Sequence, residues 1–256
     1  MLIDSHAHLN DDRLYSIIDE VVEGYRARGV GAVINAAYDI ESSRRGKILA
    51  DKYEDCYFTV GLHPHDARLA TAQIYEEMKA LAAFPKAVAW GETGLDYHYD
   101  LSLREVQRRE FVTQIEIADS LKLPVIIHLR EAYEDMNRLL TENKQYLNNG
   151  VLLHCYSGSG ESARDIYNRL DCYYSFGGAI TFAKHKNEVL KYIPQDRIML
   201  ETDCPYMTPV PFRGKTNTPA LLYLIRDKMA ELLRLTPDEI EKITTDNAKR
   251  FYKRIK

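Results

Sequence analysis

Four histidines and two carboxylates share one context along the chain: each closely follows a short apolar run. His6 and His8 come after Met-Leu-Ile, and Glu92 ends Ala-Val-Ala-Trp-Gly-Glu. His128 ends Pro-Val-Ile-Ile-His, His154 ends Val-Leu-Leu-His, and Asp203 ends Ile-Met-Leu-Glu-Thr-Asp. His63 and His65 follow Phe-Thr-Val-Gly-Leu in the same way. Imidazole and carboxylate are the usual donors to divalent cations. A His-x-His pair on a strand puts two imidazoles on one face about 7 Å apart along the backbone, which makes half of one shell.

Six donors exceed the four of a tetrahedral ion, so the set predicts two divalent ions, Zn, Mg or Mn. A carboxylate is the natural bridge, because each of its oxygens can face one cation. The expected shells are His6, His8, Glu92 and Asp203 around one ion, and Glu92, His128 and His154 around the other. Two such ions lower the pKa of a bound water from about 15.7 toward 7. Asp203 can then take its proton, so Asp203 and the bridging Glu92 are the predicted catalytic pair. Glu201 and Asp4, one alternation away, are expected to orient the histidines from the wall.

These residues need a frame that converges their strand ends. Apolar, β-branched runs occur at Leu2–Ser5, Ala32–Asn35, Tyr57–Val60, Ala87–Trp90, Val125–His128, Val151–His154, Tyr173–Phe176 and Ile198–Glu201. Helical periodicity fills most intervals, as in Leu14–Arg28, Leu103–Leu121 and Ser162–Leu170. Eight strand-helix units predict an α/β fold, the (β/α)8 TIM barrel, whose sites lie at the C-terminal ends of the strands. A doubly wound sheet would want a Gly-rich first turn, and this chain has His-Ala-His-Leu-Asn there. Leu221–Leu233 and Pro237–Tyr252 read as two terminal helices closing the outside of the barrel, the second capped by Thr236 with Pro237 at its first position.

Composition bounds the remainder. With no Pro/Gly/Ser-rich linker, residues 1–256 are expected to form one domain. A 45% hydrophobic, 28% charged chain with net charge −4 suits a globular protein and argues against non-specific coating of nucleic acid. No signal segment or membrane span is legible, and Cys56, Cys155, Cys172 and Cys204 make no CxxC pair. A cytoplasmic protein with no obligate protein partner and no membrane contact is expected.

Taken in order, His6-Ala-His8, Gly61-Leu-His-Pro64, Gly91-Glu-Thr-Gly-Leu-Asp96, His128, His154-Cys-Tyr-Ser-Gly158, Glu201-Thr-Asp-Cys-Pro-Tyr206 and Arg213-Gly-Lys-Thr-Asn217 resemble the TatD family of metal-dependent hydrolases. The resemblance implies an amidohydrolase-like (β/α)8 barrel and a 3'–5' exonuclease-like deoxyribonuclease with DNA, single-stranded or at ends, as substrate. It places metal ligands at His6, His8, Glu92, His128, His154 and Asp203, and it puts His63 against the substrate phosphate. Thr93 and Cys204 depart from the family pattern without replacing a ligand. The alternative is an ester or amide hydrolase on the same barrel, such as a deacylase of aminoacyl-tRNA or a small-molecule amidohydrolase. Glu92 stands where many amide-cleaving relatives bridge with a modified lysine, which favours the nuclease. Substrate charge would be met by Arg130 and by Arg213 with Lys215, and Tyr206 could stack on a base.

Overall fold

The computed structural model describes residues 1–255, with the backbone alone at 184–187. Its strands are β1 (Leu2–Ala7), β2 (Val30–Asn35), β3 (Cys56–Val60), β4 (Ala87–Asp96), β5 (Val125–Arg130), β6 (Val151–Leu153), β7 (Tyr173–Phe176) and β8 (Ile198–Leu200). All neighbours pair in parallel and in chain order, so the eight strands form a nearly closed (β/α)8 barrel. The helices are α1 (Asp12–Tyr15), α2 (Ile18–Arg26), α3 (Ile40–Lys52), α4 (Ala72–Ala82), α5 (Arg104–Ser120), α6 (Tyr133–Glu142), α7 (Gly160–Leu170), α8 (Leu222–Leu233) and α9 (Pro237–Phe251). Among the described residues no helix is long and apolar enough to cross a membrane.

Two departures from the periodicity concern local hydrogen bonding. The helix expected over Leu14–Arg28 is broken, because the Ile17 N–H bonds Leu14 O, one residue nearer than an α-helix would have it. That tight turn leaves Ile17 exposed while Leu14 and Val22 stay buried. β4 runs six residues beyond the apolar stretch that announced it, carried by ladder pairing of Thr93, Gly94, Leu95 and Asp96 with β5. Gly94 permits this close approach: at φ 145° it faces His128, and a Cβ there would come within 2.0 Å of His128 O.

Inside the barrel the strand period of two sorts the residues into layers. Ile3, Val88, Ile126, Leu152 and Met199 belong to one apolar cluster toward the N-terminal ends of the strands. Two residues on, the same faces of β5 and β6 carry His128 and His154, and beyond β8 that of Met199 leads to Glu201 and Asp203. The C-terminal end of α9 closes the apolar layer from below, with Ala248, Phe251 and Tyr252 in the same cluster. The expectation that both terminal helices lie outside holds for α8 and the first part of α9, and is corrected for the end of α9, which covers the apolar floor. The predicted cap holds: Thr236 and Glu239 form a capping box, with Pro237 in the first turn.

β1 and β8, the ends of the ladder, are joined by bonds around Asp4. Ser5 Oγ donates to Leu200 O at 2.8 Å, and the N–H groups of Asp203 and His8 donate to His6 O at 3.0 Å and Cys204 O at 2.7 Å. The buried Asp4 carboxylate accepts Thr202 N–H at 2.9 Å and Thr202 Oγ at 2.5 Å. Burial pushes its carboxyl up to about 7, against the pull of those donors. Asp4 therefore pins the seam instead of orienting an imidazole, because its bonds run to the backbone and hydroxyl of Thr202 and, at 3.3 Å, to the backbone N–H of His6, never to a ring. Tyr252 reaches the same seam from below, its hydroxyl donating to Ser5 O at 2.7 Å. Tyr252→Phe is expected to lower unfolding free energy by about 1 kcal/mol with the barrel intact, read from the urea midpoint.

Candidate metal centre

Glu92 stands at the centre of the polar layer, and its two oxygens face different partners. Oε2 lies 3.6 Å from His6 Nε2 and 3.4 Å from His8 Nε2. Oε1 lies 2.8 Å from His154 Nε2 and 3.5 Å from His128 Nδ1. Asp203 Oδ1 joins the first group, 3.3 Å from His8 Nε2 and 3.9 Å from His6 Nε2. The residues around the ligands also share a backbone feature: Glu131, Cys155 and Asp203, just past β5, β6 and β8, have φ between 43° and 54°. Each left-handed residue costs roughly 1 kcal/mol, and such strain is concentrated where function needs a particular side-chain direction.

The donor spacing can be tested against a cation. With metal–nitrogen bonds of about 2.0–2.1 Å, neighbouring corners of a tetrahedron are about 3.3 Å apart. His6 Nε2 and His8 Nε2 approach to 3.3 Å, and the carboxylate distances run from 3.3 to 3.9 Å. On the other side His154 Nε2 and His128 Nδ1 are 3.4 Å apart, and Glu92 Oε1 is 3.5 Å from His128 Nδ1 and 2.8 Å from His154 Nε2, a hydrogen-bond contact that a cation would open. His8 Nδ1–H donates to Ala36 O at 3.1 Å, which leaves a lone pair at Nε2 in the neutral ring. The residues present fit cations on both sides of Glu92.

Besides His6, Glu92 and His154, which crosses that division, a set of His63, Glu92 and His128 is also close enough to share an ion. Its chemistry differs, because His63 Nδ1 accepts the His65 N–H at 3.2 Å. Burial, with the nearby charge of His128, holds the His63 imidazole well below its usual range, so it is neutral with its hydrogen on Nε2. His63 is thus a hydrogen-bond donor at the edge of the cluster, its ring 4.4 Å from that of His128. Glu201 is in the buried wall, taking Ser175 Oγ at 2.5 Å, but it is 3.9 Å from His154 Nδ1, too far to orient it by a hydrogen bond.

The remaining expected residues lie around this centre. Tyr206 is 49% exposed, with its ring 6.1 Å from that of His8 and the Arg13 guanidinium 4.5 Å over it. Arg130 sits 4.8 Å over the exposed Tyr99 ring. Arg213 bonds Thr208 O of its own loop at 2.9 Å and packs 4.0 Å over Phe182, both outside the cluster. Sequence reasoning gave no role to Asp96, whose Oδ2 takes the Nε2–H groups of His128 at 3.0 Å and His65 at 2.9 Å. The only signal was its place in Gly-Glu-Thr-Gly-Leu-Asp, six residues past the apolar run.

Buried charge is balanced within the cluster. Burial opposes ionisation of Glu92, but the imidazoles of His154 and His6 outweigh it and hold the carboxyl well below its usual range. His8 and His128 are each lifted to about 9, the neighbouring carboxylates overcoming the opposing effect of burial. His6 falls to about 4 through burial and the charge of His154.

A parallel barrel whose strand ends gather four imidazoles and two carboxylates, one of them the shared Glu92, has the donor set of a metal-dependent hydrolase. Residues 3–253 match the family described as TatD related DNase, and the chain belongs to that family. It is 41% identical over 255 residues to YabD of Bacillus subtilis, covering 99% of each chain, and 34% identical over 256 residues to YcfH of Escherichia coli K12, covering 98% of this chain and 95% of that one. Both are named uncharacterized metal-dependent hydrolases. The fold is similar to that of YJJV, a TatD homolog from Escherichia coli K12, with a TM-score of 0.91 at 29% identity over 98% of each chain.

The raised imidazoles fix the sign of a pH effect. In chelated protein, His8 and His128 contribute stability that is fully present below pH 6.5 and lost as pH rises through about 9. A cation needs their lone pairs and displaces those protons. Zinc titrated into chelated protein is expected to release about two more protons per chain at pH 7.5 than at pH 10, where both imidazoles are already neutral. Calorimetry in buffers of different ionisation enthalpy reads the number.

Proposed function

We propose that the chain is a divalent-metal-dependent deoxyribonuclease that hydrolyses phosphodiester bonds of DNA, in single strands or at ends, in the manner of a 3'–5' exonuclease. The observation that carries the reading is the division of Glu92: one oxygen faces His6 and His8, the other His128 and His154. That division suits two adjacent cations, zinc, magnesium or manganese, and paired cations are the usual solution for in-line displacement at phosphorus. The description of the family as TatD related DNase supports DNA as the substrate.

His6, His8, Glu92 and Asp203 would hold one cation, and Glu92, His128 and His154 the other. Cations so held acidify water and offset charge on the phosphoryl oxygens. The protein's own groups do the positioning and the proton transfer. Asp203 is ionised, the hydrogen bond from His8 overcoming the effect of burial, and its carboxylate accepts the proton of the attacking water. Glu92 keeps the two donor sets at a fixed separation. Neutral His63 donates its Nε2–H to a non-bridging oxygen of the substrate. Tyr206, backed by Arg13, gives a neighbouring base a face to stack on, while Arg130 and Arg213, on the loops after β5 and β8, meet flanking phosphates.

The test uses cation-loaded protein, labelled single-stranded DNA, and a panel of esters, amides and aminoacyl-tRNA. EDTA is expected to abolish cleavage, and Asp203→Asn to lower kcat roughly 100-fold or more. Full cleavage by the variant, or after chelation, overturns the reading, and turnover of the panel without DNA cleavage replaces it with a deacylase or amidohydrolase. Tyr206→Ala is expected to raise KM for short single strands roughly 5- to 100-fold, while Tyr206→Phe leaves it near wild type. Equal KM values for both variants remove the stacking role.

A further inference from the structure

Asp96 belongs to neither donor set, yet it is fully buried at the end of β4 and accepts four hydrogen bonds. Oδ2 takes the Nε2–H of His128 and of His65, and Oδ1 takes the backbone N–H groups of His98 at 3.0 Å and Tyr99 at 2.9 Å. An ionised carboxylate can only accept, so both imidazoles must present hydrogen at Nε2. For His128 this leaves Nδ1 as the free donor atom, and Nδ1 is the atom that faces Glu92 Oε1 and His154 Nε2. For His65 it fixes the ring whose backbone N–H occupies His63 Nδ1.

Asp96 is itself held from the outer helix. Gln107 on α5 accepts the Asp96 N–H at 2.8 Å and donates to Asp96 O at 3.1 Å and Ser102 O at 2.8 Å. Ser102 Oγ donates in turn to His65 O at 2.8 Å. One carboxylate therefore connects a residue on each side of it to a shared anchor.

We propose that Asp96 is a positioning residue: by taking the Nε2 hydrogens of His128 and His65, it keeps His128 Nδ1 open as a cation donor and holds His63 as a hydrogen donor beside it. The proposal rests on the reading of His128 as a metal ligand. It does not depend on DNA being the substrate, because its test counts ions and locates hydrogens.

Asp96→Asn preserves shape, but the backbone N–H groups of His98 and Tyr99 claim the amide oxygen and leave the NH2 facing both imidazole Nε2 atoms. The wild-type chain, chelated and titrated with zinc, is expected to take two ions. Asp96→Asn should retain the ion at His6, His8 and Asp203 and bind the second roughly 10- to 100-fold more weakly, by calorimetry and elemental analysis. In ¹⁵N-histidine NMR the His128 hydrogen should leave Nε2 in the variant. Asp96→Glu, which restores an acceptor, should recover part of the second ion's affinity. A variant that loses thermal stability but binds both ions with wild-type affinity overturns the proposal. If Asp96→Asn does not fold, zinc-loaded wild type still decides: His128 must show hydrogen on Nε2, and hydrogen on Nδ1 overturns the proposal. A wild-type chain that takes no ion on the His128 side refutes the metal reading itself, an outcome distinct from the variant's behaviour.

Discussion

A single carboxylate, Glu92, sits 97% removed from solvent with an imidazole nitrogen on every near side. An ion of that size buried without partners would cost several kcal/mol even after relaxation. The cost is offset only if the positive or polarisable groups stay within about 4 Å, and those groups come from β1 and β5 and from the residues just past β1 and β6. No shorter segment of the chain could supply them together. Closing the barrel is thus the condition for burying Glu92, and the rest of the architecture can be read as serving that closure.

The closure has two parts with separate chemistry. At the seam, where β1 meets β8, Asp4 and Thr202 bond side chain to backbone and hydroxyl, and the backbones of His6 and His8 bond those of Asp203 and Cys204. The donors of the first set are therefore aligned by main chain, although His6 and Asp203 are separated by most of the sequence. On the opposite side His128 is aligned by a carboxylate, Asp96, which is fastened to α5. Below both, Phe251 and Tyr252 of the C-terminal segment fill the apolar floor, so packing of the last helix supports geometry at the far end of the strands.

Much of this was legible because strand periodicity and barrel topology act together. Leu152 and Met199 announce an inward face, and counting two or four residues on finds His154 and Asp203 without any structure. Asp96 escaped the same reasoning. Gly-Glu-Thr-Gly is poor strand sequence, so β4 was expected to end at Trp90, whereas pairing with β5 carries it to Asp96. The role of Asp4 was misjudged for a related reason: alternation gives the face of a side chain, but its partner, Thr202, is set by how β1 and β8 abut. The reach of the end of α9 under the barrel was hidden because an apolar helix face looks the same whether it meets a wall or a floor.

Net charge gives the last constraint. A chain at −4 offers no long-range attraction to a polyanion, and the cations near the centre already have partners: Arg13 pairs with Asp11 at 2.8 Å, Arg130 covers Tyr99, and Arg213 bonds its own loop. Counterion release scales with the number of phosphates a protein neutralises, so a surface of this kind contacts few of them. For the proposed DNA substrate, attraction beyond the few flanking phosphates that Arg130 and Arg213 can meet would then be concentrated at the metal centre itself, on the phosphate being cut. That favours working at a strand end or a short single strand over wrapping a long duplex, and it makes the alignment of the donor atoms around Glu92 responsible for binding as well as for chemistry.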